Sequence, residues 1–266
     1  MSAIAVSTTA ARRRAFLALC QRDLWVTVRY EPVAFLAQAL LQPTFYLLVF
    51  GRVLPEIGAA DAAYATLLMP GVMALTLFVS SLLNAALPLV LELYVTKEVE
   101  DRLLAPLSVG GVAIQKMTIA ALRGMIAALM ILPLAELILP GGVDLAGASW
   151  PGLAVVLVVG SLIGAALGLV IGTSVPPNRI SASFAIVLNP IIFTGATFYS
   201  WTSLSELRWF QLVTLPNPLT YVSEGLRAAL TPVDHLATPW IVLGLAASLV
   251  VFGAWGVRGF VRRGID

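Results

Sequence analysis

Long apolar stretches recur along this chain, and they constrain its fold more than any other feature. Each is about twenty residues long, the length that an α-helix needs to cross the hydrocarbon core of a bilayer. Only 11% of the residues are charged, against about 25% in a typical soluble domain. The stretches do not alternate apolar and polar residues, as the strands of a transmembrane barrel do. The sequence therefore predicts an all-α polytopic membrane protein.

The apolar pattern predicts six membrane spans. They cover residues 33–51, 64–91, 120–139, 152–174, 180–199 and 239–257. A segment of intermediate polarity, residues 200–238, separates the last two spans. It is too long for a tight turn and too apolar for a free loop, so we expect it to contain re-entrant or interfacial helices.

Residues 1–31 form a separate N-terminal segment in this interpretation. From Arg12 onward, apolar residues recur at helical spacing opposite basic residues. This pattern is typical of an amphipathic helix that lies in the membrane interface, with Trp25 and Tyr30 at headgroup level. A solvated arm is the alternative. Arg12 to Arg14 are not followed by a long apolar region or by a small-residue cleavage site, so we expect no signal peptide.

The distribution of Lys and Arg predicts the orientation in the membrane. Six spans would place twelve of the sixteen basic residues on one side, and that side is expected to be cytoplasmic, together with both termini. The twelve are Arg12, Arg13, Arg14, Arg22, Arg29, Lys97, Arg102, Lys116, Arg179, Arg258, Arg262 and Arg263.

A charged cluster separates the second and third spans. Five of the six residues from 97 to 102 are charged, and a charge at the centre of a membrane span costs about 2.5–3.5 kcal/mol on insertion scales. The cluster must therefore lie in water. We interpret it as the surface on which a soluble motor docks.

Four glycines in the fourth span repeat at a spacing of four, which places them on one helix face and lets another backbone approach closely. They are Gly160, Gly164, Gly168 and Gly172. The spacing leaves open whether the neighbour belongs to the same chain or to a second copy.

Polar residues inside the spans have structural and functional interpretations. Arg123 is expected one turn inside the cytoplasmic end, where it can reach the interface or pair with Glu92. Glu136 is expected to reach the outer interface beside a kink at Pro133. Asn84 and Asn189 lie deeper and would either line a path or join helices.

The segment 200–238 contains the stretch Leu215-Pro-Asn-Pro-Leu-Thr-Tyr221, followed by Glu224 and Arg227. The two charged residues are three apart and can pair on one helix face. One hypothesis is an outer gate formed by Pro216, Pro218, Tyr221, Glu224 and Arg227. The other is a surface loop with an aromatic belt.

No residue pattern indicates catalysis or metal binding. Cys20 is the only cysteine and His235 the only histidine, so neither a disulfide nor a cysteine or histidine metal framework is expected. Neither lysine lies in a nucleotide-binding phosphate loop. The chain is therefore predicted to be no enzyme, to bind no cofactor, and to take any pumping energy from a partner or from an ion gradient.

The chain resembles the membrane subunits of type-2 ABC exporters, the family of drug-resistance, lipo-oligosaccharide and polysaccharide export permeases. Three stretches are similar to that family, in the same order: 98–108 between spans two and three, 193–199 in span five, and 215–227. The family often has a proline after the aromatic residue of span five, whereas here Ser200 and Trp201 follow Tyr199.

This resemblance implies a type-2 ABC transmembrane domain over residues 32–266, and a homodimer or close heterodimer of permeases in the bilayer, of which we expect the homodimer. It also implies two cytosolic ATPase subunits, which would bind ATP and Mg²⁺, and no nucleic acid. Residues 97–108 would form the coupling helix against the ATPase. The residues expected to make this contact are Lys97, Glu98, Glu100, Asp101, Arg102, Leu103, Leu104 and Pro106.

The leading functional hypothesis is therefore a permease for ATP-driven export of an amphipathic molecule across the inner membrane, such as a drug, a lipid or a lipid-linked glycan. A stand-alone secondary transporter or channel is the alternative. It would require ionisable residues near the membrane midplane, and none in this sequence is clearly central.

Overall fold

Helices account for nearly all regular structure in the part of the chain that the computed structural model describes, which is residues 7–30, 32–61, 63–93 and 108–263. No strand occurs in these ranges. The helices are α1 (Ser7–Tyr30), α2 (Pro32–Tyr46), α3 (Leu54–Glu56), α4 (Tyr64–Leu91), α5 (Val109–Leu129), α6 (Ile131–Ile138), α7 (Trp150–Ser174), α8 (Ile180–Thr194), α9 (Arg208–Thr214), α10 (Pro218–Leu230) and α11 (Thr238–Arg263). The all-α prediction is confirmed for these residues.

Four helical stretches are long and apolar enough to cross a membrane. They are Tyr64–Leu91, Val109–Ile138, Trp150–Ser174 and Thr238–Arg263. All four overlap predicted spans. The largest boundary difference is in the third, which begins eleven residues before the expected start at residue 120. Its start is set by Ser108, whose hydroxyl oxygen accepts a hydrogen bond from the backbone N–H of Gly111 at 3.1 Å.

The predicted first span is a helix with an irregular middle. A π-helical segment, Leu47–Val53, connects α2 to α3. Pro43 lies inside α2 and has no N–H to donate to the carbonyl of Ala39. The π-segment begins one turn later, so the helical ladder is perturbed just beyond this proline.

The third predicted span also contains a break. α5 ends at Leu129 and α6 begins at Ile131, with Met130 between them. Pro133 cannot donate a hydrogen bond to the carbonyl of Leu129, which explains why the interruption lies one turn before the proline. Glu136 follows in α6, and its carboxylate accepts a hydrogen bond from the backbone N–H of Val143 at 2.7 Å.

α7 lies in the centre of the bundle, between α4, α5 and α11. In its most apolar 18-residue window 72% of the residues are buried, against 17% for α11. Three of the four glycines of α7, Gly164, Gly168 and Gly172, lie against α4, and Gly160 lies between α4 and α10. A Cβ atom at Gly164 would be 2.6 Å from the carbonyl oxygen of Phe78, and one at Gly168 would be 2.4 Å from that of Leu82. The close neighbour is thus a helix of the same chain.

Polar contacts join the helices at both ends of the bundle. The end of α4 contacts the first half of α5 through a buried ion pair between Glu92 and Lys116. The ends of α7 and α11 meet where the Arg263 guanidinium donates to the carbonyl of Thr173 at 3.2 Å. At the opposite end, the hydroxyl of Tyr64, at the start of α4, donates to the carbonyl of Phe198 at 2.9 Å.

The fifth predicted span is shorter as a helix than the sequence indicates. The expected range was 180–199, but α8 ends at Thr194 and an irregular segment follows. Beyond it, the segment of intermediate polarity contains two short helices, α9 and α10. The chain between α8 and α11 is therefore folded back onto the bundle, and the contacts that permit this define the candidate site.

Candidate functional site

The candidate site is the place where α8 breaks off, and its main feature is a run of backbone carbonyls that side chains satisfy. Seven consecutive carbonyls, from residue 190 to residue 196, each accept a hydrogen bond from a side chain. At a helix C-terminus the last carbonyls lack intrahelical partners, and at membrane depth an unsatisfied backbone group costs several kcal/mol. Side-chain donors therefore allow the helix to end where it does.

Helix α10 supplies four of these seven donors, and they share one face of the helix and its N-cap. In order, the side chains and their acceptor carbonyls are Asn217 to Ile191 (2.7 Å), Thr220 to Thr194 (3.2 Å), Ser223 to Gly195 (2.6 Å) and Arg227 to Ala196 (3.1 Å). We call this set the α10 donor row. Its members are three, three and four residues apart, which follows the helical period, so they lie along one side of α10. From there they donate to carbonyls at the end of α8 and in the chain beyond it.

The last residue of α8 and the irregular segment supply the other three donors. Thr194 donates to Pro190 (2.8 Å), Thr197 to Ile192 (3.5 Å) and Tyr199 to Phe193 (2.8 Å). With the α10 donor row they complete the seven carbonyls. The segment is thus held both by its own side chains and by those of α10.

An ion pair between Glu224 and Arg227 lies at the centre of the site, and both side chains are fully buried. The Glu224 carboxylate also accepts hydrogen bonds from the backbone N–H of Trp201 at 3.0 Å and from that of Leu236 at 2.6 Å. A buried charge is tolerated when it is paired and hydrogen-bonded. One carboxylate therefore joins α10 to the chain that follows α8 and to the chain that precedes α11.

Helix α4 closes the site from the other side, and Gly71 makes this possible. A Cβ atom at Gly71 would lie 1.8 Å from the carbonyl oxygen of Thr197, so only glycine lets the irregular segment pass this close to α4. The neighbouring Ala196 has a φ of 51°, a left-handed conformation that is uncommon for a residue with a Cβ. The last residue of α2 also packs on this segment, with the rings of Tyr46 and Phe198 5.2 Å apart.

The proposed gate residues take different positions in this site. Pro218 is buried at the first turn of α10, after Asn217 as N-cap. Tyr221 donates its hydroxyl to the carbonyl of Leu215 at 2.7 Å, which holds the chain on either side of Pro216 in one compact turn. Glu224 and Arg227 pair, as their spacing of three indicates.

The α10 donor row is not among the features predicted from the sequence. Its signal was visible in retrospect, because Asn217, Thr220, Ser223 and Arg227 lie on one face of a segment that is otherwise mainly apolar. The sequence pattern does not indicate which groups accept the hydrogen bonds from these four side chains. Nothing in residues 190–196 indicates that their carbonyls lack helical partners.

The opposite end of the bundle contains a second polar cluster, around α1. The amide nitrogen of Gln115 donates to the Asp23 carboxylate at 3.0 Å, and Arg123 donates to the Asp23 carbonyl at 3.1 Å. Arg123 also lies 3.4 Å from the side-chain oxygen of Asn84. For Arg123 the sequence predicts either a position that reaches the interface or a pair with Glu92. The ion pair of Glu92 is with Lys116, which lies two turns nearer the end of the helix at which Glu92 is placed.

The proposed ATPase-contacting residues, 97–106, lie outside the described residues. The structure describes the chain on both sides, up to Leu93 and again from Ser108. Both of these points belong to the end of the bundle that the Glu92–Lys116 pair joins.

A cleft between α2 and α4 contains further polar side chains. Gln38, Gln42, Thr76, Ser80 and Asn84 line it, beside Pro43. The Asn84 amide donates to the carbonyl of Ser80 at 2.8 Å, so its side-chain oxygen is turned toward Arg123. Asn189 of α8 does not line this cleft and is exposed.

Comparison with known proteins identifies one family. A family model described as ABC-2 type transporter matches residues 14–231, which include α1 from Arg14 onward, the charged cluster at 97–102, the break after α8 and the whole of α10. A search of curated proteins finds no match.

Proposed function

The chain belongs to the ABC-2 type transporter family, as the permease of an ABC transporter, and we propose that a separate ATPase drives it to export an amphipathic substrate. One observation carries the proposal: the family match includes both the charged cluster between α4 and α5 and the broken end of α8. These are the two places at which a motor contact and a gate are expected.

We assign six spans to the permease, with both termini in the cytoplasm of a cell whose inner membrane it crosses. The first span is α2 with its π-segment, the fifth is α8 with the irregular segment that follows it, and the other four are the long apolar stretches. In this arrangement the end of the bundle with the Glu92–Lys116 pair faces the cytoplasm, since the basic residues collect there. α1 lies against α5 at that end, as an interfacial helix would.

The motor contact in this proposal is a coupling helix within residues 97–108. Its charged residues pair with the ATPase, and Leu103, Leu104 and Leu107 enter an apolar notch on it. ATP and Mg²⁺ are bound by the ATPase, of which two copies serve two copies of this chain. The contact between α1 and α5 through Asp23 and Gln115 gives a route by which a push on the coupling helix reaches α1.

The outer gate in this proposal is α10 with the chain after α8. The shared carboxylate of Glu224 and the α10 donor row mean that these pieces move together, because separating them would leave buried polar groups without partners. The pathway lies between the two copies. The cleft between α2 and α4 combines apolar side chains with amide and hydroxyl groups. An amphipathic molecule requires both kinds of contact.

A co-purification experiment tests the motor contact. The variant Glu98→Lys/Glu100→Lys is expected to abolish co-purification of the ATPase, because reversing two charges turns attraction at the interface into repulsion. Membrane insertion should be unchanged.

The matched control is Asp61→Lys/Glu206→Lys, which reverses the same two charges at exposed positions near the opposite end of the bundle. It should retain the ATPase. If the Glu98→Lys/Glu100→Lys variant co-purifies with the ATPase as the wild type does, the coupling-helix assignment is wrong.

A further inference from the structure

A groove between α7 and α11, near their C-terminal ends, combines positive charge with exposed apolar surface. Thr173 and Ser174 of α7 form one wall, and the other wall is the face of α11 that carries Val251, Trp255, Arg258 and Arg262. Among the residues that line it, three are arginines and none is acidic. The groove therefore presents the positive charges of Arg258 and Arg262 beside its apolar surface.

The back of the groove is closed by close helix packing. A Cβ atom at Gly256 would lie 2.8 Å from the carbonyl oxygen of Ala166, and one at Gly259 would lie 2.7 Å from the hydroxyl of Thr173. α7 and α11 touch along this line, and the adjacent face of α11 is left open. The groove is thus a fixed feature of the helix pair.

The exposed face of α11 changes from apolar to basic along its length. Val251 and Trp255 are more than half exposed, and Arg258 and Arg262 follow on the same face one and two turns later. From residue 251 to residue 262 the helix rises about 16 Å, close to half the thickness of the hydrocarbon core. A single ligand that covers this face must be apolar at one end and anionic at the other.

We propose that this groove binds an anionic phospholipid. Its phosphate diester lies between the guanidinium groups of Arg258 and Arg262, which match phosphate oxygens in geometry and charge, and an acyl chain lies along Val251 and Trp255. Arg263 has a different task, since it donates to the carbonyl of Thr173 and joins the two helix ends. Basic pockets between transmembrane helices are a known type of site for acidic lipid headgroups.

A second protein is a poorer occupant of this groove. A soluble ATPase would meet Arg258 and Arg262 but would not reach the apolar surface at Val251, which lies two to three turns further along α11. A second copy of this chain would bring its own basic residues to the same end of the bundle, where like charges repel. A lipid satisfies the charge and the apolar surface together.

Fluorescence quenching of Trp255 tests the proposal with the purified full-length chain in detergent micelles. Brominated phosphatidylglycerol and brominated phosphatidylcholine are added in parallel, and the contribution of Trp255 is obtained by subtracting the signal of Trp255→Phe. We expect phosphatidylglycerol to quench at about tenfold lower concentration than phosphatidylcholine, because each arginine strengthens binding of an anionic lipid several-fold.

The variant Arg258→Gln/Arg262→Gln is expected to bring the two lipids to equal potency. Arg12→Gln/Arg13→Gln removes two exposed charges from α1 and serves as the matched control, which should retain the preference. The single variants Arg258→Gln and Arg262→Gln, each expected to lose part of the preference, replace the double variant if it does not fold.

Several results would overturn the proposal. These are equal quenching by both lipids in the wild type, an unchanged preference in Arg258→Gln/Arg262→Gln, or an equal loss in the α1 control. Displacement of the lipid by millimolar glycerol phosphate would identify a site for soluble phosphate instead. Loss of ATPase co-purification in Arg258→Gln/Arg262→Gln, without a lipid preference in the wild type, would assign the groove to the ATPase. None of these measurements depends on transport, so they are independent of the export proposal.

Discussion

Arg227 shows what single residues contribute to this protein. Its guanidinium is fully buried, pairs with Glu224 and donates to the carbonyl of Ala196, while its Nε–H has no partner among the described residues. Removing one member of a buried ion pair leaves the other charge without compensation, which costs about 3–5 kcal/mol. The pair is therefore a sensitive point in the structure.

We predict that Arg227→Met lowers the free energy of unfolding by about 3–5 kcal/mol, because it strands the Glu224 carboxylate. The double variant Glu224→Gln/Arg227→Met should lose less than the sum of the two single variants, since no charge then remains buried. Unfolding in mixed micelles measures all three. Additive losses would show that the two side chains do not act as a pair.

Gly71 is the second position at which one residue decides the local structure. We predict that Gly71→Ala destabilises the protein by about 1–3 kcal/mol, because the new methyl group would overlap the carbonyl of Thr197. Gly253→Ala is the matched control, since nothing lies within 4 Å of a Cβ at that position of α11. It should leave stability unchanged or raise it by up to about 1 kcal/mol. Equal effects of the two substitutions on the unfolding midpoint would contradict the close approach.

At the scale of elements, α8 and α10 form one unit. Four of the seven carbonyls at and just beyond the end of α8 accept hydrogen bonds from the α10 donor row. Neither helix has the length of a membrane span. Each therefore depends on the other for polar partners, and in the proposed gate the two would move together.

The prolines before and at the start of α10 test this behaviour. Pro218 occupies the first turn, where proline is preorganised for a helix, and Pro216 restricts the turn that precedes it. We predict that Pro216→Ala/Pro218→Ala changes substrate-stimulated ATPase activity by at least about twofold, because a looser turn alters how α10 moves with the chain after α8. Pro239→Ala, at the start of α11, is the control. Wild-type activity in the double variant would favour the passive surface loop.

The predicted spans and the observed helices agree at some boundaries and differ at others. The second, fourth and sixth predictions agree closely with α4, α7 and α11, because these helices are bounded by polar or capping residues that the sequence displays. The fifth extends too far, since residues 195–199 carry no charge and end in two aromatic residues, so the sequence shows no clear end to the apolar stretch at Thr194. Apolar character predicts burial, and both a helix and a capped irregular segment can be buried.

At the scale of the whole molecule, the two ends of the bundle have different chemistry. One end contains the Glu92–Lys116 pair, the contacts of Asp23 and the groove of arginines. The other contains the Glu224–Arg227 network. Assigning the first end to the cytoplasm places the motor contact and the gate on opposite sides of the membrane, as transport requires.

Cysteine labelling tests this topology. With Cys20 replaced by Ser, a single cysteine at Glu100 is expected to react with a membrane-impermeant maleimide only after the cells are opened. A single cysteine at Ser205, an exposed position in the chain before α9, should react in intact cells. Labelling of Glu100→Cys in intact cells would invalidate the orientation, and with it the motor contact.

The native Cys20 gives an additional expectation in the same assay. Partial burial, followed by the nearby Asp23 carboxylate, raises the pKa of the Cys20 thiol. Thiolate is the reactive form, so labelling of Cys20 in opened cells should be slow at pH 7 and should rise with pH toward and above the ordinary thiol range. Asp23→Asn removes the negative charge and should shift this rise to lower pH. Equal pH profiles for the two proteins would show that burial alone sets the reactivity.

The sequence alone determined the class of this protein, the approximate positions of its long helices and the family to which it belongs. These properties depend on composition and spacing, which act locally or by simple summation along the chain. Tertiary structure alone decided where α8 ends, which helix the glycines of α7 contact, and which residue pairs with Glu92. Each of these depends on a partner distant in sequence. A buried carbonyl can lack its intrahelical hydrogen bond only where another part of the chain provides a donor.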